Sequence, residues 1–302
     1  MRILCGDIGG TNTRLAVWDG ALAVVRYFPG SAHATVQGPL SAWLAESGVR
    51  PDAACLAVAG PVTDDRCVAT NLPWIVDGEE LSREYGFPFH VVNDFAAAAR
   101  GTTLLKPTDV VQLGGESPVP AAPVAVLGAG TGLGEALLVG NAVVAGEGGH
   151  AEFGPSTERE ARLAAWLIGR FGRASWEHVL SGRGLVNLLQ FCCFEVGRSP
   201  PAWVGEPDAP ARVVDSEPEV VAWFAELYGS EAGNMALRVI ARGGVYLAGG
   251  IAPRIVNVLE QGGFRRRFEA KGAVGAAIRD IPAYVITHPH LGLLGAAASW
   301  ER

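Results

Sequence analysis

Two separate stretches of this chain follow one plan. Arg2 to Asp7 has strand character, Ile8-Gly9-Gly10-Thr11-Asn12-Thr13 is a glycine-rich loop, and Arg14 to Trp18 is a returning strand. Asp19-Gly20 is a turn, and Leu22 to Phe28 a third strand. Far downstream, Val124 to Leu127 is a strand, Gly128-Ala129-Gly130-Thr131-Gly132-Leu133-Gly134 a loop and Glu135 to Val139 a strand. Gly140-Asn141 is then a turn, and Ala142 to Ala145 a strand. Loop and turn recur at one spacing, since Gly9 to Asp19 and Gly130 to Gly140 are each ten apart. The recurrence predicts a duplicated unit, one per domain, with chance similarity of two short stretches as the alternative.

Glycine lets successive backbone N–H groups turn inward with no Cβ in the way. The resulting nest binds anions, and Thr11 and Thr131 add hydroxyl donors. Two such loops could hold the phosphates of one nucleotide. A dinucleotide fingerprint would need Gly at 133, where Leu133 stands, and no Lys follows either loop as a Walker motif requires. The plainer reading is that each loop is only a tight hairpin.

Between the repeats, Phe89-His90-Val91-Val92 runs as a strand into Asn93-Asp94, and Phe95 to Arg100 continues as an alanine-rich helix. Polar groups at such a strand-to-helix junction are common in α/β active sites. Asn and Asp are also preferred helix N-caps, so one of them could simply bond the free N–H groups of the first turn. The glycine loops and a second acidic cluster shift the balance toward a phosphoryl-transfer site that needs one carboxylate base.

The rest of the first half reads as α/β. Pro39 to Ser47 is a helix stopped by Gly48, Ala53 to Ala59 a buried strand, and Asp77 with Glu80 frames a helix start. The second acidic cluster comprises Gly146-Glu147-Gly148-Gly149-His150 and the Glu177 of Trp176-Glu177-His178. Carboxylates and imidazole suit sugar hydroxyls, since the oxygens accept and the ring donates or accepts. Glu177 and His178 could equally be exposed helix residues, and Glu147 a turn acid. A zinc reading of His150 with Glu152 lacks the following Pro-Cys-x-x-Cys. Thr157 and Glu160 predict a capping box, Arg198 to Ser216 a proline-rich loop, and Pro218 to Arg242 a long helix. Gly249-Gly250 ends a glycine-bracketed strand with room for a flat ligand, though tight packing would explain it as well. Ala283 to Thr287 is a strand, and Leu291 to Trp300 the final helix.

Length and charge bound these readings. The chain has 302 residues, 49% of them hydrophobic, enough for large cores and about two domains. A net charge of −7, with only short basic runs such as Arg265-Arg266-Arg267, argues against a nucleic-acid surface. Five cysteines, with Cys192 next to Cys193 and no Cys-x-x-Cys, fit neither a disulfide framework nor a zinc site. The start does not read as a signal peptide, and no apolar run is long enough for a bilayer. A soluble cytoplasmic protein with no membrane partner is expected.

Six motifs then occur in one order: Asp7-Ile8-Gly9-Gly10-Thr11-Asn12, Asn93-Asp94-Phe95, Gly128 to Gly134, Gly146-Glu147-Gly148-Gly149-His150, Leu180-Ser181-Gly182 and Leu247-Ala248-Gly249-Gly250-Ile251-Ala252-Pro253-Arg254. As an ordered set covering nearly the whole chain, they resemble the bacterial ATP-dependent glucokinases. The resemblance implies a two-domain actin-like, hexokinase-type (ribonuclease H-like) α/β fold with a duplicated mixed-sheet core and the sugar in a cleft. The small domain is expected over residues 1–105 with a C-terminal helix 290–302, and the large domain over 106–289. By resemblance, Asp94 is the general base, and Asn93, Asp94, Glu147, His150 and Glu177 bind glucose. Asp7, Gly9, Gly10, Thr11, Asn12, Gly130, Thr131, Gly132, Gly249 and Gly250 serve ATP, with Asp7 reaching Mg2+ through water. A homodimer is expected. The alternatives are another hexose kinase of the ROK type, which typically carries a cysteine-rich zinc motif absent after His150, and a non-catalytic actin-like nucleotide- or sugar-binding regulator. One departure is Arg183, which follows Leu180-Ser181-Gly182 where the family often has Pro.

Overall fold

A computed structural model of the chain describes residues 1–70 and 72–300. The chain divides into two compact units, Met1–Lys106 with Val143–Ala145 and His288–Arg302, and Pro107–Ala142 with Gly146–Thr287. Glu301 and Arg302, expected to end the C-terminal helix, lie outside the described residues.

The first unit opens with β1 (Ile3–Ile8), β2 (Asn12–Trp18) and β3 (Leu22–Pro29), followed by α1 (Gln37–Ser47) and β4 (Ala53–Val58). A small antiparallel sheet of β5 (Val62–Thr63), β6 (Arg66–Val68) and β7 (Ile75–Asp77) leads to α2 (Gly78–Tyr85), β8 (Phe89–Asn93) and α3 (Asp94–Gly101). The main sheet runs β3-β2-β1-β4-β8, antiparallel across the first hairpins and parallel from β1 through β8. Every residue of β4 is buried, as expected for a central strand covered on both faces. One face packs Leu4, Leu15, Leu56 and Val91 against Leu40 and Trp43 of α1, which ends where Gly48 turns left-handed at φ 64°. The other face is covered by the last helix, Leu291–Trp300, whose Leu293, Ala296 and Ala297 meet Ile3, Cys5 and Cys55. A Cβ at Gly295 would run into the Ala97 carbonyl, so that glycine sets how closely this helix approaches α3.

The second unit contains β9 (Val110–Gln112), β10 (Val124–Ala129), β11 (Leu133–Val139), the two ends of β12 (Ala142–Gly146, whose Val143–Ala145 group with the first unit), α4 (Glu158–Phe171), α5 (Gly182–Glu195), α6 (Ala209–Ser216) and α7 (Pro218–Val239). It finishes with β13 (Gly244–Ala248), α8 (Val256–Leu259), α9 (Gly263–Glu269) and β14 (Ala283–Ile286). The sheet order β12-β11-β10-β13-β14-β9 repeats the hairpin-then-parallel plan of the first, with β9 added at the edge. The duplicated mixed-sheet core is therefore real at the level of topology. Its interior is built from α4, α5 and α7 around Leu127, Leu167, Leu188, Phe224 and Leu247.

Three local expectations change. Both glycine loops are shorter than their motifs, because β1 pairs through Ile8 and β10 through Ala129, leaving only residues 9–11 and 130–132 outside the strands. The stretch Arg198 to Ser216, expected as a loop, holds a 3-10 turn, Ala202–Gly205, and then α6. Pro210 sits in the first turn of α6, where its missing N–H costs nothing, and Ala209 and Val213 are buried. The long helix α7 stops at Val239 because Ile240 adopts a left-handed φ of 46°. Among the described residues, no helix is long and apolar enough to cross a membrane.

Candidate functional site

Register places the first group of residues. Ile8 pairs with Val58 and Val58 with Asn93, so the carboxyl ends of three parallel strands are level. Ligands of open α/β sheets bind at this edge. It carries Asp7, the Gly9–Thr11 loop and Asn93-Asp94, with the outer two strands roughly 10 Å apart at two inter-strand steps. Thr11 and Asn12 are exposed at the loop tip, and the Gly9 N–H is turned back onto Asn12 O at 3.1 Å.

The cap question at this edge has a clear answer. Asn93 is the N-cap of α3, its Oδ1 accepting from Phe95 N at 2.9 Å and Ala96 N at 3.0 Å. Its Nδ2 donates to Gly60 O at 3.0 Å and to Asp94 Oδ1 at 3.1 Å, so both donors and both acceptor positions of the amide are used. Asp94 is held by that bond and by Phe95 N at 3.0 Å. Behind them lies the buried Cys67 thiol, its pKa pushed up by burial and further by the Asp94 carboxylate.

Asp7 is partly buried and bridged to Arg14 Nη1 at 2.7 Å, a partner that sequence reading did not supply. A Cβ at Gly292 would come within 2.6 Å of the Asp7 carboxyl carbon, so the last helix begins against this carboxylate. Among the described residues, no three His, Cys, Asp or Glu side chains gather as metal ligands. A lone carboxylate of this kind fits Mg2+ held mainly by water and phosphate, not a protein cage.

The second group assembles in the other unit around Leu133, the first residue of β11. Leu133 N donates to Glu177 Oε2 at 3.0 Å, and the same carboxylate leaves no room for a Cβ on Gly132, which would lie 2.5 Å from it. The Leu133 carbonyl packs so closely on Gly149 that a Cβ there would collide with it. One residue thus joins the glycine loop, the Gly146–His150 loop and Glu177. A bridge between Glu152 and Ser175, with Trp176 N donating to Ala151 O at 3.1 Å, ties the last two segments side by side. Glu147 and His150 are exposed, their Oε2 and Nε2 3.9 Å apart. Glu177 is half-buried in the 3-10 turn Trp176–His178, not on a solvated helix face. His178 is turned away from that role. Its Nδ1 takes the Ser175 N–H at 3.1 Å, its ring stacks on Phe171 at 4.7 Å, and burial lowers its pKa. Glu152, paired with Arg173 at 2.9 Å, is no partner for a zinc ion on His150.

Glu135 is a residue that sequence reading missed. It is 4% exposed and presses against Gly148, where a Cβ would overlap its carboxylate. Arg238 bridges Glu135 at 2.9 Å and the fully buried Glu231 at 2.8 Å. Burial raises both carboxyl pKa values, and the neighbouring Glu135 charge adds to the push that takes Glu231 to about 7. Protonated Glu231 can donate to Glu135, whose Oε1 otherwise has no protein donor among the described residues. The folded state therefore holds this proton more tightly than the unfolded chain, where the value is 4.5. The associated stability is complete below about pH 4.5 and is lost as pH rises through about 7. Glu231→Gln keeps a neutral donor at all pH values, so we expect its melting temperature to fall much less than that of the wild type over that range. Parallel curves would contradict the shared proton. Lys271, held down to about 8 by burial, contributes in the opposite sense only above that pH.

At the carboxyl ends of β10 and β13, Gly128 pairs with Ala248, so the Gly130–Gly132 loop and Gly249-Gly250 are neighbours. Gly249 has φ 82°, and a Cβ there would strike Ala129 O, so glycine is required. The buried Tyr228 hydroxyl of α7 receives Ala129 N at 3.1 Å and lies 3.4 Å from Ala248 O, fixing both strand ends. Gly182 N, at the start of α5, donates to Gly130 O at 2.8 Å. Beside this loop opens a cavity of about 450 Å³ that includes Thr131 and Gly250 and has Leu185, Pro210, Ala211, Val214 and Ile251 as apolar walls. Its α6 wall carried no sequence signal, because that stretch read as a loop.

Comparison with known proteins shows the family and the fold. The family described as Glucokinase matches residues 4–302. The chain is 39% identical over 306 residues to a glucokinase of Yersinia enterocolitica, covering 98% of this chain and 95% of the relative. It superposes on the crystal structure of a glucokinase from an Antarctic psychrotroph with a TM-score of 0.87 and 30% identity, covering 99% of this chain and 98% of the other. A ROK-family glucokinase from Streptomyces griseus, solved with glucose and AMPPNP, shares the fold at a TM-score of 0.68 and 21% identity, with 98% of each chain covered. With the match running almost end to end and the motif residues gathered at two sheet edges, the chain belongs to the glucokinase family.

Proposed function

We propose that the chain transfers the γ-phosphoryl group of ATP to the 6-hydroxyl of glucose, giving glucose 6-phosphate and ADP. The observation that carries this reading is the convergence on Leu133, which couples a phosphate-type glycine loop to carboxylates and an imidazole suited to sugar hydroxyls. In this reading Glu147, His150 and Glu177 hydrogen-bond the ring hydroxyls. Asp94 accepts the 6-hydroxyl proton. Asn93 orients Asp94 through its Nδ2, and reaches a sugar hydroxyl itself only by exchanging the bond to Gly60 O. The loops at Gly9, Gly10, Thr11 and Asn12 and at Gly130, Thr131 and Gly132 cradle phosphates, while Gly249-Gly250 and the neighbouring cavity take the nucleoside. Bound Mg2+ would neutralise phosphate charge, with Asp7 holding it through water. Most of the rate then comes from alignment and charge stabilisation rather than covalent chemistry. A homodimer rests on the family resemblance alone, and a cytoplasmic setting on the cysteine pattern of the sequence.

The apolar cavity beside the glycine loop favours a nucleotide over polyphosphate as donor, because polyphosphate offers nothing to bury there. A coupled assay of ADP release across a hexose panel, with a parallel polyphosphate arm, tests both assignments. We expect glucose with ATP to be the fastest pair, and polyphosphate to support little turnover. Glucose no faster than buffer while another hexose works would overturn the sugar assignment. Sugar binding without ADP release would instead indicate a regulator.

A further inference from the structure

One cation beside the nucleoside cavity has no assigned task. Arg183 is the second residue of α5, a helix of 14 residues whose N-cap Ser181 is fully buried. The preceding residue, Gly182, is bonded to Gly130 O of the glycine loop, so the helix start fixes the Arg183 backbone next to that loop. The Arg183 side chain is exposed and lines the 450 Å³ cavity. It also lines a second cavity of about 570 Å³, so it stands on the ridge between them.

Other arginines nearby are committed. Arg254, in the same cavity, is paired with Asp215 at 2.8 Å, and Arg212 with Asp208 at 2.9 Å and Glu206 at 2.8 Å. Arg183 has no ion pair or hydrogen bond to a protein group among the described residues. The space over Gly130 is open, since a Cβ there would meet nothing within 4 Å. An arginine side chain anchored one residue from the loop's bonding partner is long enough to reach that space. Guanidinium groups bind phosphate oxygens through paired, charge-assisted hydrogen bonds. Of the carboxylates lining the two cavities, Asp208 and Glu206 are paired with Arg212 and Glu177 accepts from Leu133 N, so each is already engaged.

We propose that Arg183 is a donor-binding residue that contacts the phosphates of the nucleotide, standing where the glucokinase pattern often has a proline with no charge. The inference rests on the reading of the cavity as the nucleoside site and adds to it a source of affinity for the anionic part of the donor. It makes the affinity for ADP, but not for adenosine, depend on one exposed side chain.

The test is calorimetric binding of ADP and of adenosine to the wild type, to Arg183→Gln and to Ala211→Trp, with melting curves confirming that each is folded. Arg183→Gln is expected to weaken ADP about tenfold, in line with one charge-assisted contact at an exposed position, and to leave adenosine unchanged. Equal weakening of both ligands would mean that the guanidinium stacks on the base, and no weakening of either would mean that it touches neither. Both results overturn the proposal. Ala211→Trp fills the apolar wall and is expected to abolish binding of both ligands. If it binds them normally, the cavity reading fails and the proposal with it. If it loses them while Arg183→Gln is silent, only the role of Arg183 fails.

Discussion

Asp94→Asn should fold and melt like the wild type, bind glucose with little loss, and lose on the order of 10²–10⁴-fold in kcat. The structure strengthens the comparison, because capping of α3 belongs to Asn93, which takes both Phe95 N and Ala96 N. What Asp94 supplies to the helix is one acceptor for Phe95 N, and the amide oxygen of Asn reproduces it. The expected stability change is therefore small, on the order of the 0.3–1 kcal/mol that one charge in a first helical turn contributes. A neutral amide still bonds sugar hydroxyls but cannot take the 6-hydroxyl proton. Parallel measurement of kcat, glucose affinity by tryptophan fluorescence and thermal melting separates the roles. Near-native kcat with near-native binding and melting would remove Asp94 from the mechanism.

Gly149→Ala should lower kcat/KM for glucose by about 10²-fold, the loss expected when binding groups are displaced by an ångström or so. The new Cβ collides with the Leu133 carbonyl, which cannot move independently because β10 and β11 are paired at Ala129 and Leu133 and Leu133 N is bonded to Glu177. The loop must shift instead, taking Glu147 and His150 with it. Gly146→Ala is the internal control, since a Cβ there meets nothing within 4 Å. Its kcat/KM should stay within about twofold of wild type, as substitutions away from packing constraints usually do. Steady-state kinetics on the two variants, with far-UV circular dichroism to confirm folding, is the check. Equal kinetics would show that Leu133 does not organise the sugar loop.

The hairpin and loop framework was legible because alternating strands broken by glycine leave a local pattern, and the two copies reinforced each other. Asn93 and Asp94 could be located but not told apart. Both are good caps, and the choice depends on Gly60 O, a partner 33 residues away that fixes the Asn93 amide. Glu135 looked like an ordinary strand residue. Its burial depends on Arg238, 103 positions downstream, and its pressure on Gly148 depends on how the Gly146–His150 loop packs on β11. Tyr228 is similar, since its hydroxyl serves Ala129 from 99 residues away. Helix α6 was hidden because Pro207 and Pro210 read as breakers, whereas Pro210 lies in the first turn and the burial of Val213 holds the helix in place. What local pattern fixes was readable, and what long-range packing fixes was not.

The central claim is that the chain transfers the γ-phosphoryl group of ATP to the 6-hydroxyl of glucose. Phosphorus NMR of the wild-type enzyme with ATP, Mg2+ and glucose tests this most directly. The account predicts one new phosphomonoester, glucose 6-phosphate, formed in step with ADP and suppressed in Asp94→Asn. ADP accompanied by inorganic phosphate, or a phosphate ester at another hydroxyl, would contradict it.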